Sequence, residues 1–170
     1  MKVLYVTTFN DKLFKATGND MITSFVKYKT EGDLLIAHED GLDSVIPHHR
    51  KFIFHDLEQD SFLSSWLKEN EDIIPVELGG KFEGVYEEKT KFNQRASQWF
   101  RKIVALNAAM DNKSDYEAIV FLDSDTVVNK HLPGSKIEEI FSGHSMFYHL
   151  GPHRKKSGTG IESGIIGFNL

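Results

Sequence analysis

Two carboxylates at the end of an apolar run are the first residues of this sequence that could do chemistry. "IVFLDSDTVV" (119–128) carries four apolar residues without a break into Asp123, Ser124 and Asp125. Buried strands seldom end in two acids unless a cation awaits them, because adjacent carboxylates repel unless a cation or a shared proton intervenes. In extended backbone, side chains two apart point the same way, which predicts that Asp123 and Asp125 converge while Ser124 faces away. Oxygen ligands alone suit Mg²⁺ or Mn²⁺, ions that complete their shell with phosphates and water. The triplet by itself is weak, since a chain with twelve Asp produces one by chance about 0.8 times. A surface turn, a phosphatase nucleophile, and a clamp for a metal and a phosphate all fit the letters.

A second acid, Glu162, precedes Ser163 and Gly164 at the start of the apolar run "SGIIGFN" (163–169). Gly164 and Gly167 would let a ligand approach the backbone there. Lys102 sits at the edge of a helical apolar stripe, where a Lys ordinarily snorkels to solvent. "HRKKSGTG" (153–160) reads as a basic solvated loop, and the adjacent His48 and His49 diverge, with no third partner for a metal.

The elements that must hold these residues alternate between strand and helix. "KVLYVTTF" (2–9) has the two-sided apolar character of a buried parallel strand and reads as a first strand, not a signal peptide. "TGND" (17–20) predicts a turn, with Asn19 or Asp20 capping a helix that carries Met21, Ile22, Phe25 and Val26. Strands follow over 33–39 and 51–57, then a helix near 62–67 and an irregular excursion over 70–92. The strongest helix spans 93–110, with Ala96, Trp99, Ile103, Leu106 and Met110 as its stripe and Trp99 expected in the core. Strands over 116–122, 145–150 and 163–169 and a short helix near 135–142 complete an α/β layered sheet. Ligands in such sheets lie beyond the carboxyl ends of the strands, where Asp123 falls.

Composition narrows the classes. A chain of 170 residues with 40% apolar content and 13 Phe supports one domain with a substantial core. A net charge of −5 disfavours nucleic acid as a partner. No apolar run is long enough to cross a bilayer. The absence of Cys removes disulfides, zinc–thiolate sites and thiol nucleophiles, and is compatible with a cytoplasmic location. Asp123, Asp125 and Val127 also satisfy the D-x-D-x-[TV] signature of haloacid-dehalogenase-type phosphatases, in which Asp123 would be the nucleophile. That chemistry needs a later acidic pair, however, and beyond Asp125 the acids are Glu138, Glu139 and Glu162 alone.

Three blocks together resemble a group of phage, viral and bacterial proteins of the GT-A glycosyltransferase fold. "VTTFNDKLFKATGNDMITSF" looks like their first strand, loop and helix. "RASQWFRKIVALNAA" followed by "YEAIVFLDSDTVV" looks like their Lys-bearing helix and D-x-D strand, and "IESGIIGFNL" like their closing strand. The resemblance implies a Rossmann-like nucleotide-diphospho-sugar transferase, a three-layer α/β/α sandwich with a mostly parallel central sheet. It implies transfer of a sugar from a nucleotide-diphosphate sugar to a glycan or other hydroxyl acceptor, with Mn²⁺ or Mg²⁺ as cofactor. Asp125 would bind the metal directly, and Asp123 would reach the ribose or a metal-bound water, with Ser124 between them. Thr7, Thr8, Phe9 and Asn10 would hold base and ribose, Lys102 would face the diphosphate, and Glu162 would be the catalytic base or a sugar ligand. Relatives usually continue with C-terminal elements for the acceptor, often including a further metal-binding His. The expectation is therefore a single domain over 1–170 whose acceptor site an oligomer or partner domain completes, in the host cytoplasm if the source is viral. A nucleotide-sugar-binding module without turnover is the alternative.

Overall fold

The apolar run after Met1 becomes β1, Val3–Phe9, and Val3 to Val6 are fully buried. A strand covered on both faces requires helices on both sides of its sheet. The computed structural model describes residues 1–71, 88–149 and 162–170, without the side chains of 88–95, His149, Glu162 and Ser163. β2, Asp33–His38, and β4, Ala118–Leu122, flank β1 in parallel, and β3, Phe52–Asp56, extends the sheet beyond β2. On the other side of β4 lies β6, Glu162–Asn169, and then β5, Met146–His149, both pairings antiparallel. The order β3-β2-β1-β4-β6-β5 is the mostly parallel mixed sheet expected.

Alternation along the strands sorts the core into two layers. On one face Val3, Tyr5, Phe9, Leu34, Ile36, Val120 and Leu122 pack against Met21, Ile22 and Phe25 of α2, Asn19–Lys27, and Ile137 and Phe141 of α5, Gly134–Phe141. On the other, Leu4, Val6, Leu35, Ala37, Ile119 and Phe121 meet Leu63 of α3, Ser61–Glu69, and Val104, Ala105 and Ala109 of α4, Glu88–Met110. The α/β/α layering is thus present.

Four local expectations are corrected. The turn at 17–20 is helical: α1, Asp11–Leu13, runs through a π-helical turn at Phe14–Gly18 into α2. Asn10, not Asn19 or Asp20, is the cap, its Oδ1 accepting the Leu13 N–H at 2.9 Å. Gly18 sits in that π turn because a Cβ there would meet the Phe9 ring at 2.9 Å. Helix α4 begins at Glu88, earlier than expected. Its stripe is also turned: Trp99, Ile103 and Met110 are 45%, 52% and 40% exposed. The face buried instead carries Ser97, Arg101, Val104, Ala105, Ala108 and Ala109. Small alanines let the helix lie close to the sheet, and a pattern weighted to large apolar residues points to the neighbouring face, one residue or about 100° away. The irregular excursion and the basic loop at 153–160 lie largely or wholly outside the described residues.

Candidate active site

The carboxyl ends of β1, β2 and β4 open onto a common cleft. β4 stops at Leu122, and the Asp123 N–H donates to the Gly164 carbonyl of β6 at 2.8 Å. The Asp123 carbonyl then accepts the Thr126 N–H at 2.9 Å, so Asp123 to Thr126 form a turn. The acids therefore do not converge through extended backbone, as the alternation argument required. They share a cavity of about 370 Å³ that Asp123, Ser124 and Asp125 all line. The chain leaves the turn along α2, where buried Ser24 accepts the Val128 N–H at 3.0 Å.

Lys102 reaches this turn from α4, its Nζ 2.5 Å from Asp123 Oδ1 and 5.3 Å from the Phe121 ring centroid. Gly164 lies against the same carboxylate, where a Cβ would come 3.3 Å from Asp123 Oδ2. Asp123 is thus held by a backbone bond and a cation, and Asp125 is exposed beside it. Among the described residues no three His, Asp or Glu cluster as a complete metal cage. Two carboxylates with one freely solvated fit instead the partial shell of a hard divalent ion that keeps water and phosphate oxygens.

The expected base-and-ribose segment is divided by burial. Thr7 and Phe9 belong to β1, not to a loop, and are 0% and 1% exposed. The Thr7 hydroxyl has no partner among the described residues, and Phe9 packs on Phe14 at 6.0 Å while bordering the cavity. Burial removes the Thr7 side chain from ligand contact. Thr8 and Asn10 line the cavity, although the Asn10 amide oxygen is committed to capping α1.

Sequence reasoning missed the groups at the end of β2. Glu39 follows β2 and takes three hydrogen bonds from Arg101 of α4, at 2.7 to 2.9 Å. Arg101 also donates to the Ser97 carbonyl and is buried. Next to it, Asp40 adopts a left-handed conformation (φ 61°), a region Asp tolerates, and accepts the Asp11 N–H at 2.9 Å. Glu39 and Arg101, with Asn10 and Lys12, line both the smaller cavity and a second of about 830 Å³ that runs toward Leu57, Glu58 and Leu63. The rule that ligands gather at strand carboxyl ends applied to Glu39 and Asp40 as it did to Asp123. Gln98 and Trp99 enter through the turned face of α4. Glu162 is the first residue of β6, and its side chain lies outside the described residues.

No family model and no curated protein matches the sequence. Among solved structures, the chain is similar to mouse xyloside xylosyltransferase 1 in its apo form. The identity is 14%, the match covers 99% of this chain and 67% of that one, and the TM-score is 0.53. At that identity the likeness is one of fold, that of a glycosyltransferase domain, and lends nothing to a narrower grouping with phage and viral proteins.

Proposed function

We propose that the protein is a glycosyltransferase that takes a sugar from a nucleotide-diphosphate sugar and passes it to an acceptor hydroxyl. The observation that carries this reading is the position of Asp123 and Asp125. They lie beyond the end of β4, where Lys102 of α4 pairs with Asp123, and face one cleft with Glu39 at the end of β2 and Arg101 of α4. The larger cavity has room for a nucleoside and the smaller for a diphosphate and sugar, and Asn10, Lys12, Glu39 and Arg101 mark their junction.

Asp125 and Asp123 would hold Mn²⁺ or Mg²⁺, which offsets the charge gathering on the leaving diphosphate. Lys102 keeps a positive charge against Asp123 and, one side chain away from the acids, is placed to share it with a phosphate oxygen. Arg101, clamped by Glu39, fixes α4 to the end of β2, so that the distance between the acid turn and the nucleoside cavity is held. We assign to Glu162 the carboxylate that takes the proton of the acceptor hydroxyl, on the strength of its place two residues before Gly164. An acceptor site completed by a partner domain or a second copy belongs to the same reading.

Thermal shift tests this directly. UDP-, GDP- and other nucleotide sugars with Mn²⁺ should raise the melting temperature, and EDTA should cancel the rise. Asp125→Ala should abolish the response while leaving the melting temperature of the free protein nearly unchanged, because Asp125 is exposed. A response that survives Asp125→Ala, or no response to any nucleotide sugar, sinks the reading. Turnover of the bound donor would separate an enzyme from a binding module.

A further inference from the structure

We infer that Trp99 is the platform on which the pyranosyl ring of the donor stacks, an assignment that rests on the glycosyltransferase reading above. Trp99 lies one helical turn before Lys102 on α4, and residues three apart on a helix share a side. Lys102 reaches Asp123 at 2.5 Å, so Trp99 stands next to the acid turn, and it lines the same 370 Å³ cavity. Trp99 is 45% exposed, whereas large aromatic residues usually give up their area to the core.

The rest of the cavity is divided in the way a sugar ring is divided. Leu13, 44% exposed, adds a second apolar surface from α1, and Phe9 borders the floor. Gln98, Ser124 and Asp125 supply hydrogen-bonding groups around them. A neutral pyranose presents contiguous C–H groups on a face and hydroxyls at its rim. An indole offers the negative face of its π system to such C–H groups, and rim donors and acceptors then meet the hydroxyls. A nucleoside diphosphate without sugar has nothing for this platform to hold.

That difference is the test. In the full chain with saturating Mn²⁺, UDP and GDP would be titrated against UDP-glucose and GDP-mannose by calorimetry, in the parent protein and in Trp99→Ala and Trp99→Phe. Trp99→Ala should weaken the nucleotide sugar by about tenfold and leave the free nucleoside diphosphate unchanged, with Trp99→Phe in between. In a Trp66→Phe background, the remaining Trp99 emission should respond to the nucleotide sugar more than to the diphosphate alone. An equal loss for both ligands would place Trp99 at the base or in the fold, and no loss would remove it from the site. Either result overturns the platform while diphosphate binding keeps the glycosyltransferase reading. If neither diphosphate nor nucleotide sugar binds to the parent, that reading falls and the platform with it.

Discussion

At the scale of single residues, the cleft is organised by two ion pairs of different character. Lys102–Asp123 is partly open to water, with side-chain exposures of 22% and 31%, and can exchange partners when a ligand arrives. Arg101–Glu39 is buried, with 9% and 15% exposure, and three hydrogen bonds fix its geometry. Removing one partner of such a pair strands a buried charge, so Arg101→Met should cost about 3–5 kcal/mol in urea unfolding. The double variant Arg101→Met, Glu39→Leu should recover most of that loss, because two apolar groups need no partner. A single variant as mild as the double would show that the pair contributes little. The acids at 123 and 125 and Lys102 were legible in sequence, since a strand end and a helix edge are local patterns. Glu39 and Arg101 were not, because their meeting depends on how α4 lies across β2. Thr7 shows the converse error: its type suits a ligand, and only the two-sided cover of β1 reveals that it is sealed in.

Elements were read well wherever burial on both faces leaves an unbroken apolar run, and all six strands of the described residues lie near their expected places. Helix ends and faces were read less well. The first helix starts at Asp11 because Asn10 offers a cap before the glycine that suggested a turn. Asn10→Ala should therefore cost about 1 kcal/mol, measured by thermal or urea unfolding, and a neutral result would mean the cap is dispensable. The outer antiparallel pair depends on another local fit. Phe147 lies opposite Gly167 in register, and a Cβ on residue 167 would overlap its ring. Gly167→Ala should lower stability by about 1–3 kcal/mol, and adding Phe147→Leu should relieve it. If the second change brings no relief, the glycine is needed for a different reason. Phe147 in turn packs edge-on against Phe141 of α5 at 4.9 Å, which ties the edge strand to the helix layer beneath.

At the scale of the whole molecule, alkaline stability reports on how the sheet is covered. Burial, and after it the charge of Glu31, pushes the Tyr5 phenol well above its usual 10.0. Burial and the 2.8 Å hydrogen bond to Asp33 do the same for Tyr116. A group whose folded value is raised holds its proton longer folded than unfolded, so its contribution is intact below pH 10 and declines above it. Unfolding free energy should thus fall as pH rises past 10, and phenolate absorbance from these two of the five tyrosines should appear only with unfolding. Early titration of all five would contradict the burial of Tyr5. No helix among the described residues is long and apolar enough to cross a membrane.

The place of β6 has a consequence for the order of events during synthesis. This strand lies inside the sheet, between β4 and β5, although it is the last of the six to be translated. Until residues 162–169 leave the ribosome, the far edge of β4 has no neighbour and the Asp123 N–H has no carbonyl to meet. The side of the cleft built from β1, β2 and α1 can settle on the nascent chain earlier. The acid turn waits for β6, so a ribosome-stalled fragment ending at β5 would carry an exposed strand edge and an unfinished acid turn.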